Sequence, residues 1–147
     1  MAEQTQNLIV DGTNLLAGRL SSNVAKLLLQ GNHVTIINCE KILISGNRRN
    51  IIQNYKNFLE ISSILHPEHG PYHPRRPDTI IARMIRGMLP RKKPSGSEAL
   101  RRLRTYVGVP SGIGTVKKTS FDSAKITRPL ANYTSMSELS KEVGWNN

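Results

Sequence analysis

The chain has 147 residues, the length of one ordinary domain, and carries 21 Lys and Arg against 10 Asp and Glu for a net charge of +11. That charge calls for an anionic partner, nucleic acid or a membrane surface. A lone Cys39 excludes a disulfide-stapled scaffold and a four-cysteine zinc ribbon, and no apolar run reaches the roughly 18 residues of a membrane span. The polar start, Met1 to Asn7, lacks the pattern of a secretion signal, so a cytoplasmic protein is expected. At 5% aromatic residues, a broad base-stacking platform is also excluded.

Leu8-Ile9-Val10 predicts a buried strand, followed by turn chemistry in Asp11-Gly12-Thr13-Asn14. Leu20, Val24, Leu27 and Leu28 then fall on one arc of a helix whose opposite side carries Arg19, Ser22, Asn23 and Lys26. Gly31 sits where a helix C-cap glycine belongs, Gly18 suits close helix-to-sheet packing, and Val34 to Ile37 predicts a second strand. Strand, helix and strand at this spacing make a βαβ unit, hence an α/β fold with a parallel sheet covered by helices.

Ile42 to Ile44 predicts a further strand, and Ser45-Gly46-Asn47 a turn with a capping residue ahead of a helix carrying Ile51, Ile52, Tyr55, Phe58 and Leu59. Four prolines between His66 and Asp78 forbid regular helix and predict a long loop. Helix resumes at Thr79, with Ile80, Ile81, Met84, Ile85, Met88 and Leu89 on one broad face. A fourth helix is expected at Ser95, where Ser95 to Glu98 has capping-box spacing, and Thr105-Tyr106-Val107 is expected as the last strand. The resulting division is an α/β domain over 1–109, with a basic loop-helix insertion over 66–104. An extended tail follows over 110–147, with one short helix near Ser137 to Val143.

The charge is unevenly placed. Residues 75–104 hold ten Lys or Arg against Asp78 and Glu98, a net +8 that leaves +3 for the rest of the chain. Arg83 and Arg86 fall on the helix side away from the Ile80 face, Arg75 and Arg76 precede that helix, and Arg91, Lys92 and Lys93 follow it. Arginine's planar fork matches phosphate oxygens, so this cluster is the candidate phosphate-binding surface. Arg48 and Arg49, at a helix start, are candidates for further phosphate contacts, and Tyr72 and His73 for stacking or hydrogen bonding to RNA. The spacing of His66, His69 and His73 invites a metal, but no Cys or carboxylate cluster accompanies them, so neither metal nor cofactor is expected.

Enzyme motifs are missing. The first turn is neither G-x-G-x-x-G nor Walker A, Cys39 reads as a packed strand residue without a His partner, and Asp11 with Glu40 makes only a speculative carboxylate pair. A small enzyme acting on a phosphorylated metabolite and a DNA-binding architectural protein share the charge; the first lacks an acid, base or nucleophile beyond Asp78 and Glu98.

Five short stretches resemble one family in order and spacing: Val10-Asp11-Gly12 with Leu16 to Ser22; Asn38 to Ile42 with Ile44 to Asn47; Gly70-Pro71-Tyr72-His73; Ile85 to Pro90; and Leu103 to Pro110. The chain resembles the universal L-thirteen family of the large ribosomal subunit, in its archaeal and eukaryotic form. The resemblance implies a three-layer α/β/α domain with a small, mainly parallel sheet and a non-enzymatic, structural role. The implied partners are large-subunit ribosomal RNA and neighbouring ribosomal proteins, with no membrane and no small-molecule substrate. It assigns RNA contact to Arg75, Arg76, Arg83, Arg86, Arg91, Lys92 and Lys93, and the tail after Pro110 matches less well.

Overall fold

A computed structural model of the chain describes residues 6–113 and 117–146. Strand β1 (Asn7–Asp11) pairs in parallel with β2 (His33–Ile37) in the register Val10 to Ile36, and helix α1 (Ala17–Leu29) connects them. Val10, Val34 and Ile36 are inaccessible to solvent, as are Leu20, Val24 and Leu28 of α1 at four-residue steps. The same apolar period that predicts the helix therefore builds the core against the sheet. The helix ends as expected at Gly31, whose φ of +95° suits glycine. The Gly31 N–H bonds the Leu28 carbonyl and the Asn32 N–H the Leu27 carbonyl, a Schellman arrangement.

After β2 the chain makes a tight turn over 39–41, then strand β3 (Leu43–Ser45) and helix α2 (Arg48–Glu60). The Asn47 side chain accepts the Arg49 N–H at 3.0 Å, the cap expected there. A loop leads to α3 (Pro77–Met88), α4 (Pro94–Arg101) and strand β4 (Leu103–Thr105). Next come β5 (Lys118–Thr119), β6 (Tyr133–Ser135) and α5 (Met136–Glu142). The main sheet has the order β4-β2-β1-β5, parallel throughout, in a three-layer α/β/α arrangement; β3 and β6 form a separate antiparallel pair.

Several local expectations need correction. The strand expected at Thr105 to Val107 lies two residues earlier, at Leu103–Thr105, and two more strands follow it. The expected capping box at Ser95 is absent: Lys93 is the N-cap with no side-chain cap bond, and Pro94 takes the first turn, where its missing N–H costs nothing. Gly18 is exposed, and a Cβ there would meet no atom within 4 Å, so sheet packing does not require it. Cys39 is buried in the 39–41 turn and not in a strand. On α3, Ile80, Ile81, Ile85 and then Leu89 are buried, but Met88 is 46% exposed, so the apolar face is narrower than the sequence pattern.

The segment after 110 has few regular residues, and its short helix falls where expected. It is seated on the body at each step. β5 adds to the edge of β1, β6 pairs with β3, and Met136, Leu139 and Val143 of the C-terminal segment are buried in the same core as Ile81 and Ile85.

Candidate nucleic-acid interface

Helix α2 holds the proline-rich loop against α3. The Tyr55 hydroxyl donates to the Pro74 carbonyl, and burial pushes the Tyr55 pKa up while the Arg75 cation pulls it the other way. The His73 ring meets Phe58 edge-on at 4.5 Å, and its Nε2 lies 2.6 Å from the Ile61 carbonyl oxygen, so that nitrogen carries the proton. His73 is thereby a loop anchor, and Tyr72 beside it is 61% exposed.

Helix α3 starts with proline at its first turn and Asp78 beside it, where a carboxylate suits the helix dipole. Arg76 pairs with Asp78 at 3.1 Å, and its carbonyl accepts the Thr79 hydroxyl. Because Ile81 and Ile85 face the core, Arg83 and Arg86 emerge on the flank toward the loop. The Arg83 guanidinium lies 4.6 Å from the centre of the Tyr72 ring, a cation–π contact that orients both side chains. Together they border a groove of about 590 Å³ whose lining also includes Phe58, Met84, Arg86 and Arg91.

The structure divides the candidate residues into two groups. Arg75 turns away from the groove and donates to the Val143 carbonyl at 2.6 Å, at the end of α5. Gly144, with φ +106°, admits the guanidinium, since a Cβ there would come within 2.9 Å of it. Arg48 reaches the same helix, pairing with Glu142 at 3.0 Å and Glu138 at 3.9 Å. With Arg76 and His73, these residues are tied to the chain itself. Half-buried Arg83 and Arg86 and exposed Arg91, Lys92 and Lys93 make no ion pair or side-chain hydrogen bond among the described residues, and exposed Arg49 uses only its backbone N–H in the cap of α2.

Sequence reasoning missed Tyr55, Phe58, Met84 and Gly87 as groove residues, and missed that Arg102 donates to the Leu28 carbonyl at 2.8 Å. Gly87, standing between Arg86 and Met88 in the last turn of α3, was the readable signal, because a residue without a side chain leaves room beside the two arginines that flank it in sequence, Arg86 and Arg91.

The groups considered for catalysis are consumed by packing. Burial works to raise the Asp11 pKa. Hydrogen bonds from Asn38 at 3.0 Å and Thr13 at 2.7 Å, with Lys118 nearby, outweigh it and hold the carboxyl below its usual range. Glu40 accepts the Gly108 N–H at 2.9 Å, so the speculative pair serves two separate turns. Burial pushes the Cys39 thiol up to about 12, far from a reactive thiolate.

An α/β body with Asp11, Glu40 and Cys39 held in its turns, and with Arg83, Arg86 and Arg91 along one groove, is a folded scaffold that carries a cationic groove. Residues 5–111 match the family described as Ribosomal protein L13. The chain is 42% identical over 138 residues to the large ribosomal subunit protein uL13 of Methanococcus maripaludis, covering 93% of this chain and 97% of that one. It is 39% identical over 137 residues to that of Methanococcoides burtonii, with 92% and 96% covered. With that of Caenorhabditis elegans it shares 42% over 147 residues, 99% of this chain and 73% of the relative. The chain belongs to the ribosomal protein L13 family, a family of structural, non-enzymatic ribosomal proteins. The family match stops at 111, where the weaker-matching tail was expected to begin, yet these pairwise matches extend into that tail.

Proposed function

We propose that this chain is a structural constituent of the large ribosomal subunit that binds and stabilises large-subunit ribosomal RNA during assembly and translation in the cytoplasm. The names of its relatives support the subunit, and one observation supports the RNA surface: Arg83, Arg86 and Arg91 line one groove, and Arg86, Arg91 and Lys92 line the hollow beside it. The sheet and its helices act as a mount. Phosphate neutralisation supplies most of the affinity, and the shape of folded RNA supplies selectivity without a base-by-base code. Neighbouring ribosomal proteins complete the set of partners. Ile64 and Leu65, 94% and 86% exposed at the loop tip, offer them an apolar contact.

Charge reversal tests this reading. A tagged Arg83→Glu/Arg86→Glu variant is expected to sediment in a free pool while the wild-type chain migrates with large subunits, with circular dichroism showing both folded. Normal incorporation of a folded variant contradicts the assignment.

A further inference from the structure

Arg86 and Arg91 line two hollows at once. One is the groove beside Tyr72; the other, of about 530 Å³, lies toward Leu89 and Gly96. The two arginines thus form a shared cationic border between hollows. On the first side that border faces flat rings, since Tyr55, Phe58 and Tyr72 all contribute to the lining. Arg83, stacked on Tyr72, holds the most exposed of these rings in place.

Gly87 lines the same groove, and its neighbourhood does not demand glycine. A Cβ built there meets no atom within 4 Å, and its backbone is helical. What the missing side chain leaves is open space at the groove lining. The groove volume of about 590 Å³ falls in the range of roughly 300–1,000 Å³ that holds small organic ligands.

We infer that this groove takes one unstacked RNA base, with the phosphates flanking it seated on Arg86 and Arg91. The inference rests on the RNA-binding reading and narrows it. A surface that meets only a phosphate backbone needs cations and no hollow, whereas rings beside a cationic border match the two halves of a nucleotide. Aromatic side chains accept any base through its flat face, so the site selects RNA with an extruded nucleotide at this position and not a particular base.

The test uses the full chain and three labelled probes followed by fluorescence anisotropy: a single-stranded RNA hexamer, an abasic oligomer with the same phosphates, and an acidic hexapeptide carrying one Tyr. The RNA is expected to bind about tenfold or more tightly than the abasic oligomer, the scale of one stacked base. Gly87→Leu, which adds bulk without charge and favours helix, should erase that preference by bringing the affinity for the RNA hexamer down to that for the abasic oligomer. Gly87→Ala, too small to fill the groove, should keep it and controls for folding. Equal binding of the two oligomers, or a preference that survives in Gly87→Leu, overturns the base site while leaving phosphate binding intact. Tighter binding of the peptide overturns it in favour of a protein occupant, and failure of both oligomers to bind overturns the base site and the RNA reading together.

Discussion

Arg75 and Arg86 belong to the same basic stretch, and they do opposite things. Arg75 points across the fold to the Val143 carbonyl and fastens α5, while Arg86 borders two hollows and its guanidinium bonds to no described residue. Arg48, Arg76, Arg102 and Lys118 join the first kind, each tied to a carboxylate or carbonyl of the chain; Arg83, Arg91, Lys92 and Lys93 join the second. The difference teaches that a cluster of charge in sequence is not a cluster of available charge. An arginine within reach of a carbonyl at a helix end is drawn into the fold, whereas Arg83 and Arg86, projected from the flank of a helix whose opposite side is isoleucine, give their N–H donors to no acceptor among the described residues.

If that division is right, the inward set should affect stability far more than binding. The largest such effect is expected at Arg75: Arg75→Ala removes a charged hydrogen bond to a helix-end carbonyl and should cost about 1–2 kcal/mol in urea denaturation. Its effect on RNA binding should be far smaller than that of the Arg83→Glu/Arg86→Glu reversal. A variant with unchanged stability and lost binding would place Arg75 in the outward set.

Asp11 sharpens the comparison from the acidic side, because it pairs with Lys118 of β5 at 3.7 Å. Its folded pKa is lowered, so its contribution to stability is present above the unfolded value near 3.9 and lost as pH falls through the folded value. The wild-type chain should therefore be more stable than Asp11→Asn at pH 7. The gap between their urea midpoints should close as pH drops below about 4. A gap independent of pH would show that the carboxylate charge contributes nothing.

The smallest effect is expected at Arg48. Its partners Glu138 and Glu142 are about half exposed, so Arg48→Ala should cost at most about 1 kcal/mol, with that cost shrinking in added salt. A larger, salt-independent loss would make this pair a principal clamp on α5.

What was legible in the sequence follows the range of the forces involved. The βαβ unit from Leu8 to Ile37 was readable because apolar periods of two kinds and a C-cap glycine are local signals. The pairing of β3 with β6 was not, since two strands of three residues joining Leu43 to Ser135 leave no mark in either neighbourhood. The same limit governs the site. Sequence spacing placed Arg83 and Arg86 on the outward flank of α3, but it could not show that Arg75 meets Val143, because that bond depends on how the tail docks. Sequence placed Tyr55 and Phe58 on a helix and no further; their place in the groove wall depends on the proline-rich loop, which Tyr55 holds through Pro74 and Phe58 meets through His73.

The central claim is that phosphates are neutralised by the outward cations and not by the whole basic stretch. The most direct measurement is the salt dependence of binding to large-subunit ribosomal RNA, wild type against Arg83→Gln/Arg86→Gln/Arg91→Gln. Each lost phosphate contact removes about 0.7–0.9 from the slope of log K against log salt, so the triple variant should lose about 2–3. An unchanged slope would contradict the account.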